Sequence, residues 1–179
     1  METGPIIPRA WVTELAWLES RDLRGFIAGG AVRDLILGRP HKDVDIWLTA
    51  DKADIASAVA VEDGWRTVCE GGYVITDLLA IYEYERGGET FNVIVCRFDT
   101  QDQIVGRFDF GISRAVIKRL PCPIGGGTYP VECDLQLYPE FLEDMTRKVF
   151  KVRHDNGAKR TAKRWERFQE RYPDWSFEP

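Results

Sequence analysis

Histidine is nearly missing from this chain: His41 and His154 are the only two among 179 residues. That scarcity excludes a His-rich zinc centre. Cysteine is sparse as well. Cys69, Cys96, Cys122 and Cys133 are scattered without a Cys-x-x-Cys spacing, so they read as reduced thiols of a cytoplasmic protein. No apolar run approaches the roughly 18 residues that a membrane span needs, so no membrane partner is expected. The opening stretch, METGPIIPRAW, lacks the basic and apolar regions of a signal peptide. Internal repeats and low-complexity tracts are absent too.

What remains is ordinary globular material, 44% hydrophobic and 30% charged, in a chain long enough to bury a core. Its charge is unevenly spread. The net charge is −5, yet the window from Arg147 to Arg167 holds nine Lys/Arg against two acids, a local +7, which leaves −12 for the rest. An acidic body with a basic C-terminal segment points to an anionic partner for that segment, or else to a solvated helix face.

Periodicity locates the elements. Trp11, Leu15 and Leu18 recur at helical spacing over about residues 10–20. GFIAG reads as a short buried strand ending at the glycines. AVRDLILG reads as a helix closed by Gly38 and Pro40. DVDIWL alternates, so Asp43 and Asp45 share one face and Val44, Ile46 and Leu48 the other. DKADIASAVAV is a second helix with Asp51 as a candidate cap. Strand-like runs follow at WRTVC, GYVIT, LLAIYEY and TFNVIVC, the first two joined by a Gly71-Gly72 turn. PCPIGGGTYP reads as a turn-rich connector, the expected mobile loop. Pro139 can open a helix through EFLEDMTRK, and VFKV leans towards strand. A last helix over about 157–172 carries Ala158, Ala162, Trp165, Phe168 and Tyr172 on one face. Arg160, Arg164, Arg167 and Arg171 share the opposite one. The fold class expected is α+β (mixed α/β), with a head over 1–120 and a connector and helical extension over 121–179 packed on it.

The stretch GFIAGGAVRDLILGRPHKDVDI concentrates the chemistry. Two carboxylates at i and i+2 on a strand repel unless a cation sits between them, which asks for a metal. Hard oxygen ligands select Mg²⁺ or Mn²⁺. Upstream, Gly29-Gly30 at a strand-to-helix turn lets backbone N–H groups approach an anion closely. A phosphate cradle beside a divalent-metal pair is what nucleotidyl transfer requires. The alternative is a tight turn with surface acids.

These residues resemble a family: the head domain of tRNA CCA-adding enzymes and bacterial poly(A) polymerases, class II nucleotidyltransferases of the polymerase β superfamily. The likeness rests on Gly29-Gly30-Ala31-Val32-Arg33-Asp34, Leu37-Gly38 and Asp43-Val44-Asp45. A second stretch, Arg107 to Ala115 (RFDFGISRA), is similar to that family's Arg-Arg-Asp-Phe-Thr-Ile-Asn-Ala motif. The resemblance covers about residues 24–118, with a fainter echo in LEDMTRKVFKV and the last helix. It implies a polymerase β-like palm, a small mixed sheet flanked by helices. It also implies a triphosphate on Gly29 and Gly30, neutralised by Arg33 and Arg107, and metals on Asp43 and Asp45; the alternative for Arg33 is a surface i,i+4 partner. Asp34 would brace the turn.

Three departures accompany the likeness. Asn92 stands where the strand usually supplies a third carboxylate; Asp109 is expected to fill in, or else Glu89, unless Asp109 is a helix cap or the metal site is weaker than usual. Phe108 replaces the motif's second arginine. The base-reading Glu-Asp-x-x-Arg motif is missing from the last helix, and the chain ends where the neck and body are expected. The resulting expectation is a head-only, metal-dependent nucleotidyltransferase moving a nucleoside monophosphate from an NTP (ATP, CTP or both) to an RNA or tRNA 3′ end. Arg160, Arg164 and Arg167 would track the acceptor backbone. An enzyme of the same fold acting on a protein or small molecule, and a silent nucleotide- or RNA-binding module, stay open.

Overall fold

The protein was analysed as a computed structural model that describes residues 5–70, 77–120 and 132–179. The Gly71-Gly72 turn, the GYVIT run and the PCPIGGGTYP connector lie outside the described residues.

Helix α1 (Arg9–Ser20) buries Trp11, Leu15 and Leu18, the residues whose spacing marks it. Strand β1 (Phe26–Ala28) runs straight into helix α2 (Gly30–Ile36), and β2 (Val44–Leu48) follows with strict buried/half-buried alternation. Gly25 lets β1 close on β2, since a Cβ there would meet Leu48 Cδ2 at 2.7 Å and the Trp47 carbonyl oxygen at 2.8 Å. Helix α3 (Ala53–Glu62) has no side-chain cap. Asp51 instead accepts a hydrogen bond from Thr49 Oγ1 at 2.6 Å, inside a short 3₁₀ turn that precedes the helix. Strands β3 (Arg66–Glu70), β4 (Leu78–Arg86) and β5 (Glu89–Cys96) then build an antiparallel meander.

Helix α4 (Gln101–Gly106) escapes a reading by apolar periodicity because it is less than two turns long. Its start is nevertheless marked by a capping box between Thr100 and Gln103. Strands β6 (Ala115–Arg119) and β7 (Cys133–Leu137) pair with each other, and Pro139 opens helix α5 (Pro139–Arg147). Strand β8 (Val149–Lys151), helix α6 (Ala158–Arg171) and strand β9 (Ser176–Glu178) complete the chain.

Among the described residues, the main sheet has seven strands in the order β3-β4-β5-β2-β1-β6-β7, and β2 with β5 is its one parallel pair. Alternation sorts its residues into two faces. Ile27, Val44, Ile46, Leu48, Phe91, Val93, Val95, Ala115 and Ile117 join α1 and α3 in the larger core. Phe26, Ala28, Ile94, Cys96 and Val116 meet Ile104 and Val105 of α4 in a smaller one. Asp45 and Asn92 are out of phase with the larger core, on the face that α4 only partly covers.

Helix α6 docks through aromatic rings. Phe150 of β8 stacks on Phe168 at 4.9 Å and meets Trp165 and Tyr172 at 5.5 and 5.1 Å. Such pairs contribute about 0.5–1.5 kcal/mol each beyond area burial. The seam is rotated from the expected one: Thr161 is buried while Ala162 is exposed. Cys69, Cys96 and Cys133 are free thiols. Among the described residues, no helix is long and apolar enough to cross a membrane.

Candidate active site

The floor of the site is set by the pleat of β2. Asp43, Asp45 and Trp47 share one face because Val44, Ile46 and Leu48 are taken by the core. The parallel register with β5 then places Asn92 directly beside Asp45. Its amide Nδ2 donates to Asp45 Oδ1 at 3.0 Å, so the residue standing in the third carboxylate's place is a donor rather than a ligand. Burial pushes the Asp45 carboxyl up to about 6, against the pull of the Asn92 hydrogen bond; the neighbouring Asp43 charge adds to the rise and Arg164 opposes it.

The glycine turn adjoins this floor. Gly29 has φ +91° and ψ −136°, a backbone shape that side chains rarely adopt, and Gly30 has no such constraint. A Cβ on Gly30 would meet Arg33 Nη2 at 3.6 Å, an ordinary contact. Gly30→Ala is therefore expected to fold with an unchanged melting temperature. If a triphosphate packs on this backbone, NTP affinity should fall by about tenfold or more. Calorimetric titration beside a thermal melt checks both halves, and unchanged affinity would remove the turn from the site.

Helix α6 forms the facing wall. Its arginine row is turned towards the head rather than away from it, and two of its members are committed to buried head carboxylates. Arg164 Nη1 lies 2.8 Å from Asp109 Oδ2, and Asn156 donates to the other oxygen of the same carboxylate. Arg171 Nη2 lies 2.8 Å from Asp34 Oδ2 and 2.7 Å from the Pro40 carbonyl oxygen. Arg160 and Arg167 are exposed on the rim.

Arg33 is neither a surface i,i+4 partner nor an open phosphate contact. It is 2% exposed, held by Asp34 Oδ1 at 2.8 Å and by the Tyr172 hydroxyl at 3.0 Å. Its guanidinium lies 4.6 Å from the Phe168 ring centroid, so the chain from α2 to α6 is a packed cationic joint. Asp34 braces this joint, also accepting from the Tyr172 hydroxyl. Arg107 is half-exposed and paired with Asp77 at 2.6 Å.

All of these groups line one cleft of about 450 Å³: Gly29, Gly30, Asp43 and Asp45 on the floor side, Arg160, Arg164 and Arg167 on α6. Arg33, Arg107 and Asp109 line it as well. The expected third carboxylate does not join the pair. Among the described residues, no group of three His, Cys, Asp or Glu is placed to hold a metal ion. Asp109 is 2% exposed and spends its oxygens on Arg164 and Asn156. It is not a helix cap either, since it tethers α6 to the head. Glu89 accepts from Trp11 Nε1 at 2.7 Å. Asp109→Asn is accordingly expected to cost about 1–3 kcal/mol of stability by stranding Arg164, with any drop in turnover tracking the melt. A large turnover loss at unchanged melting temperature would restore Asp109 to the chemistry.

One part of the cleft is missing from the sequence reading. Trp47, Phe98, Phe108, Leu78, Cys96 and Ile104 make an apolar wall beside Asp45. Trp47 is legible in principle, because strand alternation puts it on the face of Asp43 and Asp45. Asn156 carries no sequence signal.

Residues 25–104 match the family described as the Poly A polymerase head domain. A solved tRNA-processing enzyme in an apo form superposes with a TM-score of 0.67 at 20% identity, over 98% of this chain and 46% of that one. The Thermotoga maritima CCA-adding enzyme complexed with tRNA gives 0.64 at 20% identity, over 98% and 40%. A CCA-adding enzyme complexed with ATP gives 0.63 at 20% identity, again over 98% and 40%. This chain thus spans less than half the length of those structures, and no curated protein matches it. Residues 25–104 are thus similar to the Poly A polymerase head domain, and the chain shares its fold with the tRNA-processing and CCA-adding enzymes.

Proposed function

We propose that the protein is a metal-dependent nucleotidyltransferase that moves a nucleoside monophosphate from ATP or CTP to the 3′ hydroxyl of an RNA, with tRNA as the first candidate. The observation that carries this reading is one cleft holding the Asp43/Asp45 pair, the Gly29-Gly30 turn and the cationic face of α6. Solved relatives of the same fold are complexes with tRNA, ATP and CTP, which fits an NTP and an RNA as partners here.

The donor set fits Mg²⁺ or Mn²⁺. Asp43 and Asp45 offer hard oxygens on one strand face, and Asp45 is raised chiefly by burial, with the Asp43 charge adding to it. A divalent ion there would activate the acceptor hydroxyl and neutralise the triphosphate. The chain's own residues do the rest. The Gly29-Gly30 backbone lets phosphate oxygens approach closely, and the arginines of α6 spread positive charge over the opposite wall. The Asn92 amide holds Asp45 in one orientation.

That amide also favours a second reading, a module that binds nucleotide or RNA without turnover. Incubation with α-labelled ATP or CTP, Mg²⁺ or Mn²⁺ and total RNA separates the readings. Label on RNA supports the proposal, label on protein or a small molecule moves the acceptor, and no label leaves the binding module.

The arginine row needs a test that spares the Asp109 and Asp34 ion pairs. Arg160→Gln/Arg167→Gln is expected to weaken RNA binding across all sequences. The slope of log K against log salt should drop by roughly 0.7 for every phosphate left without its arginine. Equal weakening of NTP binding would reassign these two arginines to the triphosphate.

A further inference from the structure

Beyond Asp45 the cleft floor changes from charged to aromatic. Trp47 lies two residues further on the same face of β2, roughly 7 Å along the strand at about 3.3 Å per residue. Phe108 packs against it, ring centroids 5.0 Å apart and planes tilted by 49°. Both rings are half-buried and both line the cleft. The Trp47 indole N–H is shielded from solvent and has no hydrogen-bond partner among the described residues. The rings, rather than this N–H, are therefore what Trp47 and Phe108 offer to the cleft.

Direction follows from strand pairing. Phe26 is the partner of Trp47 in the antiparallel β1–β2 pair, so Gly29, three residues on, lies towards the opposite end of β2. Phe108 bridges the interval, its ring edge 4.0 Å from where a Gly29 Cβ would stand. In-line phosphoryl chemistry sets the attacking oxygen on the far side of the reacting phosphorus from the leaving pyrophosphate. With pyrophosphate at the Gly29-Gly30 turn, the acceptor comes in from the Trp47 end. An aromatic floor facing a cationic wall is the combination that single-stranded nucleic acids bind, bases on rings and phosphates on arginines.

We propose that Trp47 and Phe108 form a stacking platform for the 3′-terminal base of a single-stranded RNA acceptor. The proposal rests on the transferase reading and supplies its acceptor subsite. It also gives Phe108 a use: a phosphate at this position would call for a cation, and an apolar ring suits a base.

The test uses the wild-type chain with Mg²⁺ and three short fluorescein-labelled single-stranded RNAs of one sequence. One is unmodified, one has an abasic 3′-terminal nucleotide, and one keeps the terminal base but carries a 3′-deoxy end. The abasic RNA should bind about tenfold more weakly, and the 3′-deoxy RNA should bind like the parent. Trp47→Phe keeps a ring and should lose only part of the discrimination, together with most of the tryptophan quenching seen on binding. Phe108→Arg should abolish the discrimination. Equal binding of abasic and parent RNA, or no RNA binding at all, overturns the platform. So does quenching of Trp47 by ATP or CTP alone, which would give the rings to the incoming nucleotide. Label transfer from NTP to RNA without base discrimination sinks the platform and leaves the transferase reading intact. Discrimination without any label transfer does the reverse.

Discussion

Asp43→Ala/Asp45→Ala is expected to lower transfer by about a thousandfold or more while leaving the fold intact. These two carboxylates are the hard-oxygen donors of the cleft floor, and among the described residues no third acid joins them. NTP binding should show the same loss, and in the wild type a chelator should reproduce it. Metal-free, the double variant should melt no lower than the wild type. The substitution removes a like-charge pair and a carboxylate that burial already pushes up to about 6. Calorimetric NTP titration with and without chelator, run beside thermal melts, reads both effects. Equal affinity in both buffers would set the metal role aside. Asn92→Asp supplies the complementary result. It should tighten metal binding and raise turnover, and should lower the metal-free melting temperature, because a carboxylate would replace the amide that now donates to Asp45 at 3.0 Å.

Asp34→Ala should be the most destabilising single change in the cleft wall, at about 3–5 kcal/mol. The aspartate is 2% exposed and accepts from Arg33, the Tyr172 hydroxyl and Arg171. Its removal leaves Arg33, also 2% exposed, as a buried cation without a counter-charge. For a chain of this length that loss corresponds to a fall in melting temperature of roughly 10 °C. Arg171→Gln, in which the more exposed partner is neutralised, should cost about 1 kcal/mol or less. Tyr172→Phe should fall between the two, near 1–2 kcal/mol. Melts of the three variants rank them, and an Asp34→Ala protein as stable as Arg171→Gln would show that the joint between α2 and α6 carries little of the stability. Because α6 brings Arg160, Arg164 and Arg167 to the cleft, turnover in Asp34→Ala should fall further than stability alone accounts for at temperatures well below the melt.

Much of the site is local, and local features are legible in a sequence. A Gly-Gly pair between a strand and a helix, and two carboxylates on alternate positions of a strand, need only the periods 3.6 and 2 to be placed. Core strands and long helices follow from the same counting, because each must turn an apolar face inward. Gly29 is the sharpest case, since its φ of +91° strongly favours glycine at that turn. The short helix α4 escapes that counting for the opposite reason: fewer than two turns do not establish a period.

Everything that depends on a partner far along the chain was decided by the tertiary structure. Asn92 meets Asp45 because β5 runs parallel to β2 in one register, a pairing set by how the core closes. Asp109 and Arg164 are 55 residues apart, and Arg33 and Tyr172 are 139 apart. Charge type alone left Asp109 a metal ligand or a cap and Arg33 a phosphate contact or a surface residue. Burial gave them other work, since a charge taken out of water must be paired within reach, and the docking of α6 is what puts the pairing groups there. The sequence by itself therefore determined the chemistry available at the Gly-Gly turn and the Asp-x-Asp strand. Which cations remain open to a ligand, and which are consumed in holding the wall of the cleft in place, was settled only when the last helix folded back over the sheet, because the energy of an ion depends on its neighbours and not on its identity.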